Sequence, residues 1–127
     1  MRFLLTDEQR ELARALDGML GAAGVPAAAR AWASGEHNPG RALWARIAQA
    51  GVFGLAVPER YAGAGRLPVE LVVSFVELGR HAVPGPVVET VASAAFLTRL
   101  GDAGADGAAP RFSTLVGSVL HEVLPPL

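Results

Sequence analysis

The residues of this chain whose types and spacing could do chemistry fall into three groups: two loop glycines, three histidines and a scatter of carboxylates. Gly63 and Gly65 punctuate the stretch Tyr61-Ala62-Gly63-Ala64-Gly65, where glycine permits backbone angles that side chains forbid. A phosphate cradle asks for more. The dinucleotide fingerprint needs a third glycine where Pro68 stands, and a P-loop needs a lysine, which the chain lacks. A tight loop between packed elements is the simpler reading, and contact with a ligand or a neighbouring domain is the alternative. His37, His81 and His121 lie far apart without carboxylates at metal-binding spacing, which predicts surface or capping roles and no metal site. No Gly-x-Ser-x-Gly elbow is present, so nothing points to serine hydrolase chemistry. Among the carboxylates, Asp7, Glu8 and Glu11 read as solvated helix residues. Glu89 differs, as the sole charge in the first turns of an otherwise apolar helix. It either complements the helix amino terminus or forms a polar wall of a substrate pocket. Glu77 and Arg80 have the spacing of a surface ion pair.

Helices must position these groups. Thr6 and Gln9 form a capping-box pattern that opens a helix over residues 7–20, with Leu12, Leu16 and Met19 or Leu20 on one face and Gly21 and Gly24 as stops. Pro26 begins a second helix that reaches residue 33, and Ser34-Gly35 ends it. Leu43, Trp44, Ile47 and Ala48 mark the buried face of a third, over residues 39–50, with Gly51 as a left-handed cap. The apolar run 52–57, closed by Pro58, predicts a buried extended segment. Pro68 opens a fourth helix in which Leu71, Val72, Phe75, Val76 and Gly79 face inward and Glu70, Ser74 and Glu77 face out. Gly79 would then let another helix approach closely.

Pro84-Gly85-Pro86 turns the chain into a fifth helix over residues 86–100, apolar nearly all round. Such a helix is buried on most sides, which calls for more of the same chain or another subunit to cover it. A small-residue linker over 102–110 leads to Phe112, Leu115, Val116, Val119, Leu120, Val123 and Leu124, a three-and-four spacing that predicts a closing helix over 112–124 before Pro125-Pro126. The expectation is an all-α fold, a five- to six-helix bundle forming one domain over residues 1–127.

Composition narrows the function. The chain has 127 residues, 51% of them hydrophobic, and a net charge of -1. Its 11 basic residues are all arginine and are spread along the chain, so no clustered basic face suggests nucleic acid. With no cysteine, disulfides, thiolate metal sites and cysteine nucleophiles are excluded. The first five residues run too soon into charge at Asp7 for a signal-peptide core. No apolar run approaches the roughly 18 residues needed to span a bilayer. A soluble, cytoplasmic protein with no membrane or nucleic-acid partner is expected.

Several motifs occur in a specific order: Leu5-Thr6-Asp7-Glu8-Gln9-Arg10-Glu11-Leu12, then Gly54-Leu55-Ala56-Val57-Pro58-Glu59-Arg60-Tyr61-Ala62-Gly63-Ala64-Gly65, then Glu77-Leu78-Gly79-Arg80, Pro84-Gly85-Pro86 and Leu100-Gly101. In this order and spacing they resemble the amino-terminal helical domain of acyl-CoA dehydrogenases, over about residues 3–101, with 102–127 as a divergent linker and closing helix. The resemblance implies a part or subunit of an FAD-dependent oxidoreductase that removes two hydrogens across the α,β carbons of an acyl-CoA thioester, with fatty acids or sterols as substrates. In that family the catalytic glutamate comes from the carboxy-terminal domain, and most flavin contacts come from there and from the β domain. This chain therefore carries no catalytic residue by resemblance and is not expected to act alone. FAD would be bound mainly by a partner, either a larger acyl-CoA dehydrogenase-like subunit or another member of a homo-oligomer. By position, Val88, Glu89, Ala92 and Phe96 are the candidates for lining the acyl pocket. The departing tail fits either a truncated gene or a small subunit with its own closing helix. Two other readings stay open: a non-catalytic helical interaction module, and the amino-terminal domain of a related flavin monooxygenase.

Overall fold

The Gln9 amide donates to Thr6 Oγ1 at 3.2 Å, and the Thr6 amide donates to Gln9 Oε1 at 3.0 Å. This reciprocal cap satisfies two of the donors that a helix start leaves open. The helix it opens, α1, runs Asp7–Ala22. The computed structural model describes residues 4–104, in which α1 is followed by α2 (Val25–Ala33), α3 (Asn38–Gln49), α4 (Pro68–Arg80) and α5 (Val87–Ala103). Short 3-10 turns occupy Val52–Ala56 and Glu59–Tyr61. No strand occurs among the described residues, so the fold is all-α as expected. The helix expected over residues 112–124 lies outside them.

Backbone contacts divide the described chain into two units, residues 4–43 with 68–85 and residues 44–67 with 86–104. In the first, α1 packs along α4. Leu16 and Leu20 of α1 are buried, as are Val25 and Ala28 of α2 and Val73 and Leu78 of α4. The expected orientation of α4 is overturned. Val72 and Val76 are exposed at 64% and 53%, whereas Ser74 and Glu77 are buried. Burial of these two polar side chains is supported locally. Ser74 Oγ donates to the Glu70 carbonyl at 2.8 Å, and Arg80 Nη1 donates to both Glu77 oxygens at 2.9 Å. With its polar groups satisfied, the Ser74–Glu77 side can face inward at little cost. Gly79 is exposed, and a Cβ there would meet nothing within 4 Å, so it mediates no close helix approach.

In the second unit, α5 packs on the turn at Val52–Ala56. Val52, Phe53, Leu55 and Val57 are buried there, and so are Val87, Val91 and Ala94 of α5. Burial of the 52–57 run is as expected, but its conformation is not. Gly51 takes φ 82 and starts a 3-10 turn, closed by Gly54 N–H to Gly51 O at 3.0 Å and Val57 N–H to Gly54 O at 3.1 Å. A short apolar run does not by itself distinguish a buried strand from a buried helical turn; here the left-handed Gly51 before it and Gly54 within it accompany the turn. The backbone turns extended at Val57 and Pro58, after the turn.

Candidate functional site

The glycine loop is built from the inside. The amides of Tyr61, Ala62, Gly63, Ala64, Gly65 and Leu67 donate to the carbonyls of Pro58, Glu59, Pro58, Gly54, Val57 and Leu55, at 2.8 to 3.2 Å. These donors are spent on the chain's own backbone, so none of them is left to cradle a phosphate. Gly63 is needed for space, since an added Cβ would lie 2.6 Å from Val57 Cβ. Gly65 is needed for conformation, at φ 100. Ala62 (φ 62) is also left-handed. The loop is a packed turn, and its chemistry toward a flavin pyrophosphate does not fit.

Beside it lies a charge cluster that sequence reading missed. Arg60 Nη2 donates to the Asp102 carboxylate at 2.5 and 2.6 Å, Tyr61 Oη donates to Asp102 Oδ1 at 3.1 Å, and Arg66 stands 3.9 Å from Oδ2. Arg60 also lies over the Tyr61 ring, 5.1 Å from its centroid. These hydrogen bonds hold the Asp102 carboxyl below its usual range, through Arg60 first, against desolvation, with Tyr61 contributing less, and the Asp102 bond raises Arg60 further. Asp102 falls in the last turn of α5, where a negative charge opposes the helix dipole; the two arginines offset it. The sequence had suggested a linker from residue 102, but the buried Gly101 carries α5 on to Ala103.

A second polar group joins α1 and α4. His81 Nε2 lies 2.8 Å from Asp17 Oδ1, and one ligand atom each from Asp17, Glu77 and His81 falls within 4.8 Å of the others. The reading of His81 as remote from carboxylates is thereby corrected. The signal that could have found it is the four-residue step from Glu77 to His81, which places them on one helix side. The three groups are engaged with protein partners: Glu77 with Arg80, and His81 with Asp17. They form an internal tie between the two helices. His37 instead packs against Trp32, with ring centroids 4.6 Å apart. Asp7 pairs with Arg10, and Glu11 with Arg14.

Val88, Glu89, Ala92 and Phe96 are all exposed on α5. Val88, Ala92 and Phe96 recur every four residues and so share one side of the helix, with Glu89 adjacent in the first turn. The side is apolar, carries one carboxylate at its start, and could line a hydrophobic wall. No polar side-chain atom is buried without a partner among the described residues.

Residues 6–108 match the family described as acyl-CoA dehydrogenase, N-terminal domain. The chain is also 37% identical over 94 residues to an acyl-CoA dehydrogenase of Mycobacterium tuberculosis. That match covers 68% of this chain and 13% of the relative, so the chain spans a small part of the protein it resembles. No solved structure matches it. No helix among the described residues is long and apolar enough to cross a membrane. With its family-matching region accounting for most of its length, the chain belongs to the acyl-CoA dehydrogenase family, as a form of its amino-terminal helical domain.

Proposed function

We propose that this domain works within an FAD-dependent oxidoreductase that dehydrogenates acyl-CoA thioesters at the α,β carbons, and that it is inactive alone. The observation that carries this reading is the family match over residues 6–108. In this reading α5 supplies part of the acyl-chain wall, with Val88, Ala92 and Phe96 as apolar contacts and Glu89 at its polar edge. The flavin and the base that takes the α proton come from other parts of the assembly. The fully engaged amides of the glycine loop support that division, since they leave the loop no phosphate-binding role. The partner is a larger dehydrogenase-like chain or another copy in a homo-oligomer, in the cytoplasm.

The same loop geometry favours a second reading, a helical interaction module with no flavin in its complex. Co-purification of the tagged chain from its native cell, with an absorbance scan of the product, separates the two. A yellow complex containing a dehydrogenase-like chain, active on acyl-CoA, supports the first. A colourless complex, or a flavoprotein partner whose turnover does not depend on this chain, sinks it.

A further inference from the structure

Asp17, Glu77 and His81 bring three metal-ligating side chains to one end of the α1–α4 pair. Gln9 Nε2 donates to Glu70 Oε1 at 3.0 Å near the start of both helices, and His81 meets Asp17 toward their ends. The two helices therefore run side by side in the same direction, and their carbonyl ends fall together. The carbonyl end of a helix favours a cation. No basic residue stands in the last turn of α1, and Asp17 lies just before it. Arg80, in the last turn of α4, is spent on Glu77. We propose that Asp17, Glu77 and His81 bind a divalent transition-metal cation, zinc by their chemistry, which clamps α1 to α4.

The backbone sets the ligands in place. The His81 amide donates to the Glu77 carbonyl at 3.1 Å, so His81 continues the helical ladder and lies one turn above Glu77 on the same side. The helix then closes at once. The Ala82 and Val83 amides donate to the Gly79 and Leu78 carbonyls, each at 3.0 Å, with Ala82 left-handed at φ 54. Across from it, Gly21 stands one turn beyond Asp17 on α1. Even a Cβ built there would come no nearer to His81 Cε1 than 4.0 Å, which leaves the ring edge beside Nε2 uncrowded.

One ligand atom from each residue lies within 4.8 Å of the others, with His81 Nε2 and Asp17 Oδ1 at 2.8 Å. Tetrahedral zinc, with bonds of about 2.0–2.2 Å, sets its ligand atoms about 3.4 Å apart. Closing on the ion asks for shifts of about an ångström, and Asp17 supplies them, because its side chain is 53% exposed. Glu77 is the fixed point, buried and held by Arg80. Arg80 does not block it. A carboxylate offers about four lone-pair sites, and Arg80 Nη1 takes one on each oxygen, remaining as an outer partner of the ligand. The cation takes the place of the proton between His81 Nε2 and Asp17 Oδ1. One imidazole nitrogen with two carboxylates suits zinc, whereas magnesium and calcium prefer oxygen alone. Three protein ligands leave a fourth position for water. The inference is independent of the acyl-CoA reading, whose wall residues lie on α5.

Calorimetric titration of zinc chloride into the chelator-treated full chain tests it. The expected result is one zinc per chain, a Tm raised by several degrees at saturation, and the visible absorption of a tetrahedral site when cobalt replaces zinc. Losing a ligand should cost at least what losing an outer partner does, roughly 10–100-fold in affinity, both in His81→Gln and in Asp17→Asn. Asp17→His keeps three ligands and should keep the site. His37→Gln and His121→Gln should bind zinc as the wild type does. Four results would each overturn the proposal: no zinc binding, unchanged affinity in His81→Gln, loss of the site in Asp17→His, or magnesium bound as tightly as zinc. Should His81→Gln fail to fold, the comparison of Asp17→Asn with Asp17→His decides alone, since only a ligand role makes the second retain what the first loses.

Discussion

Replacing Gly63 with alanine should destabilise the chain more than any other single methyl added in the loop. The new Cβ would lie 2.5 Å from the Val57 carbonyl carbon and 2.6 Å from Val57 Cβ, well inside the roughly 3.0 Å that real Cβ contacts respect. Val57 cannot easily yield. It is fully buried, and its carbonyl accepts the Gly65 amide at 2.9 Å. Overpacking of this kind costs about 1–3 kcal/mol, and distorting the adjacent hydrogen bond adds about 0.5–1.5 kcal/mol. The two overlap, so the loss should be about 3 kcal/mol, or a fall of roughly 10–20 °C in Tm. Gly79→Ala is the matched control. It adds the same methyl to an exposed helical site with nothing within 4 Å, and should stabilise by about 0.5–1 kcal/mol through helix propensity. Urea unfolding of both variants, followed by circular dichroism, measures the pair. The reasoning fails if Gly63→Ala stays within about 0.5 kcal/mol of the wild type, the range of an ordinary surface change, or if the two glycines shift stability in the same direction.

Adjacent valines on α4 should respond in opposite ways to a charge: Val73→Asp, at a buried site, should cost several kcal/mol or prevent folding, while Val72→Asp, at a 64% exposed site, should cost about 1 kcal/mol or less. Equal losses in thermal melts would mean that the orientation of α4 is wrong. Asp102 gives a pH signature. Its folded-state carboxyl titrates lower than in the unfolded chain because Arg60 and Tyr61 hydrogen-bond the charged form, so its contribution is present above the ordinary aspartate value of about 3.9 and is lost as pH falls through the lowered folded value. Urea midpoints of Asp102→Asn and the wild type should therefore differ near neutrality and converge in acid; a gap independent of pH would rule out this titration as its source. Gly40→Ala should destabilise by pressing on the Trp32 ring, whose Cζ3 would be 2.9 Å from the new Cβ, and Trp32→Ala should remove much of that penalty in a double-mutant cycle.

What could be read from sequence was what is decided within a few residues. The Thr6–Gln9 cap, the left-handed Gly51 and the helical start at Pro68 each depend on local geometry, and all were legible. The inward side of α4 was not. Val72, Val73, Val76 and Leu78 are apolar on more than one side, so periodicity leaves the choice to packing against α1, and local bonds to Ser74 and Glu77 removed polarity as a guide. Arg60 and Asp102 stand 42 residues apart and Asp17 and His81 stand 64 apart, pairings that no spacing rule reaches. The candidate acyl-wall residues came from family resemblance alone, since an exposed valine and phenylalanine carry no chemical mark of their own.

The same ambiguity bears on α5. Either apolar side could have been buried; the turn at Val52–Ala56 took the one with Val87, Val91 and Ala94. That choice turns Val88 and Phe96 outward, so the exposure of this apolar side follows from how residues 51–57 fold rather than from anything in the stripe. A change at Phe53, which is buried in that turn and takes no part in the stripe, should therefore weaken any complex formed through the proposed acyl-wall side by displacing the whole helix. Phe96→Asp should weaken such a complex while leaving the stability of the domain nearly unchanged, because Phe96 is exposed. Comparing the two variants in thermal melts and in the co-purification assay separates loss of the platform from loss of the contact.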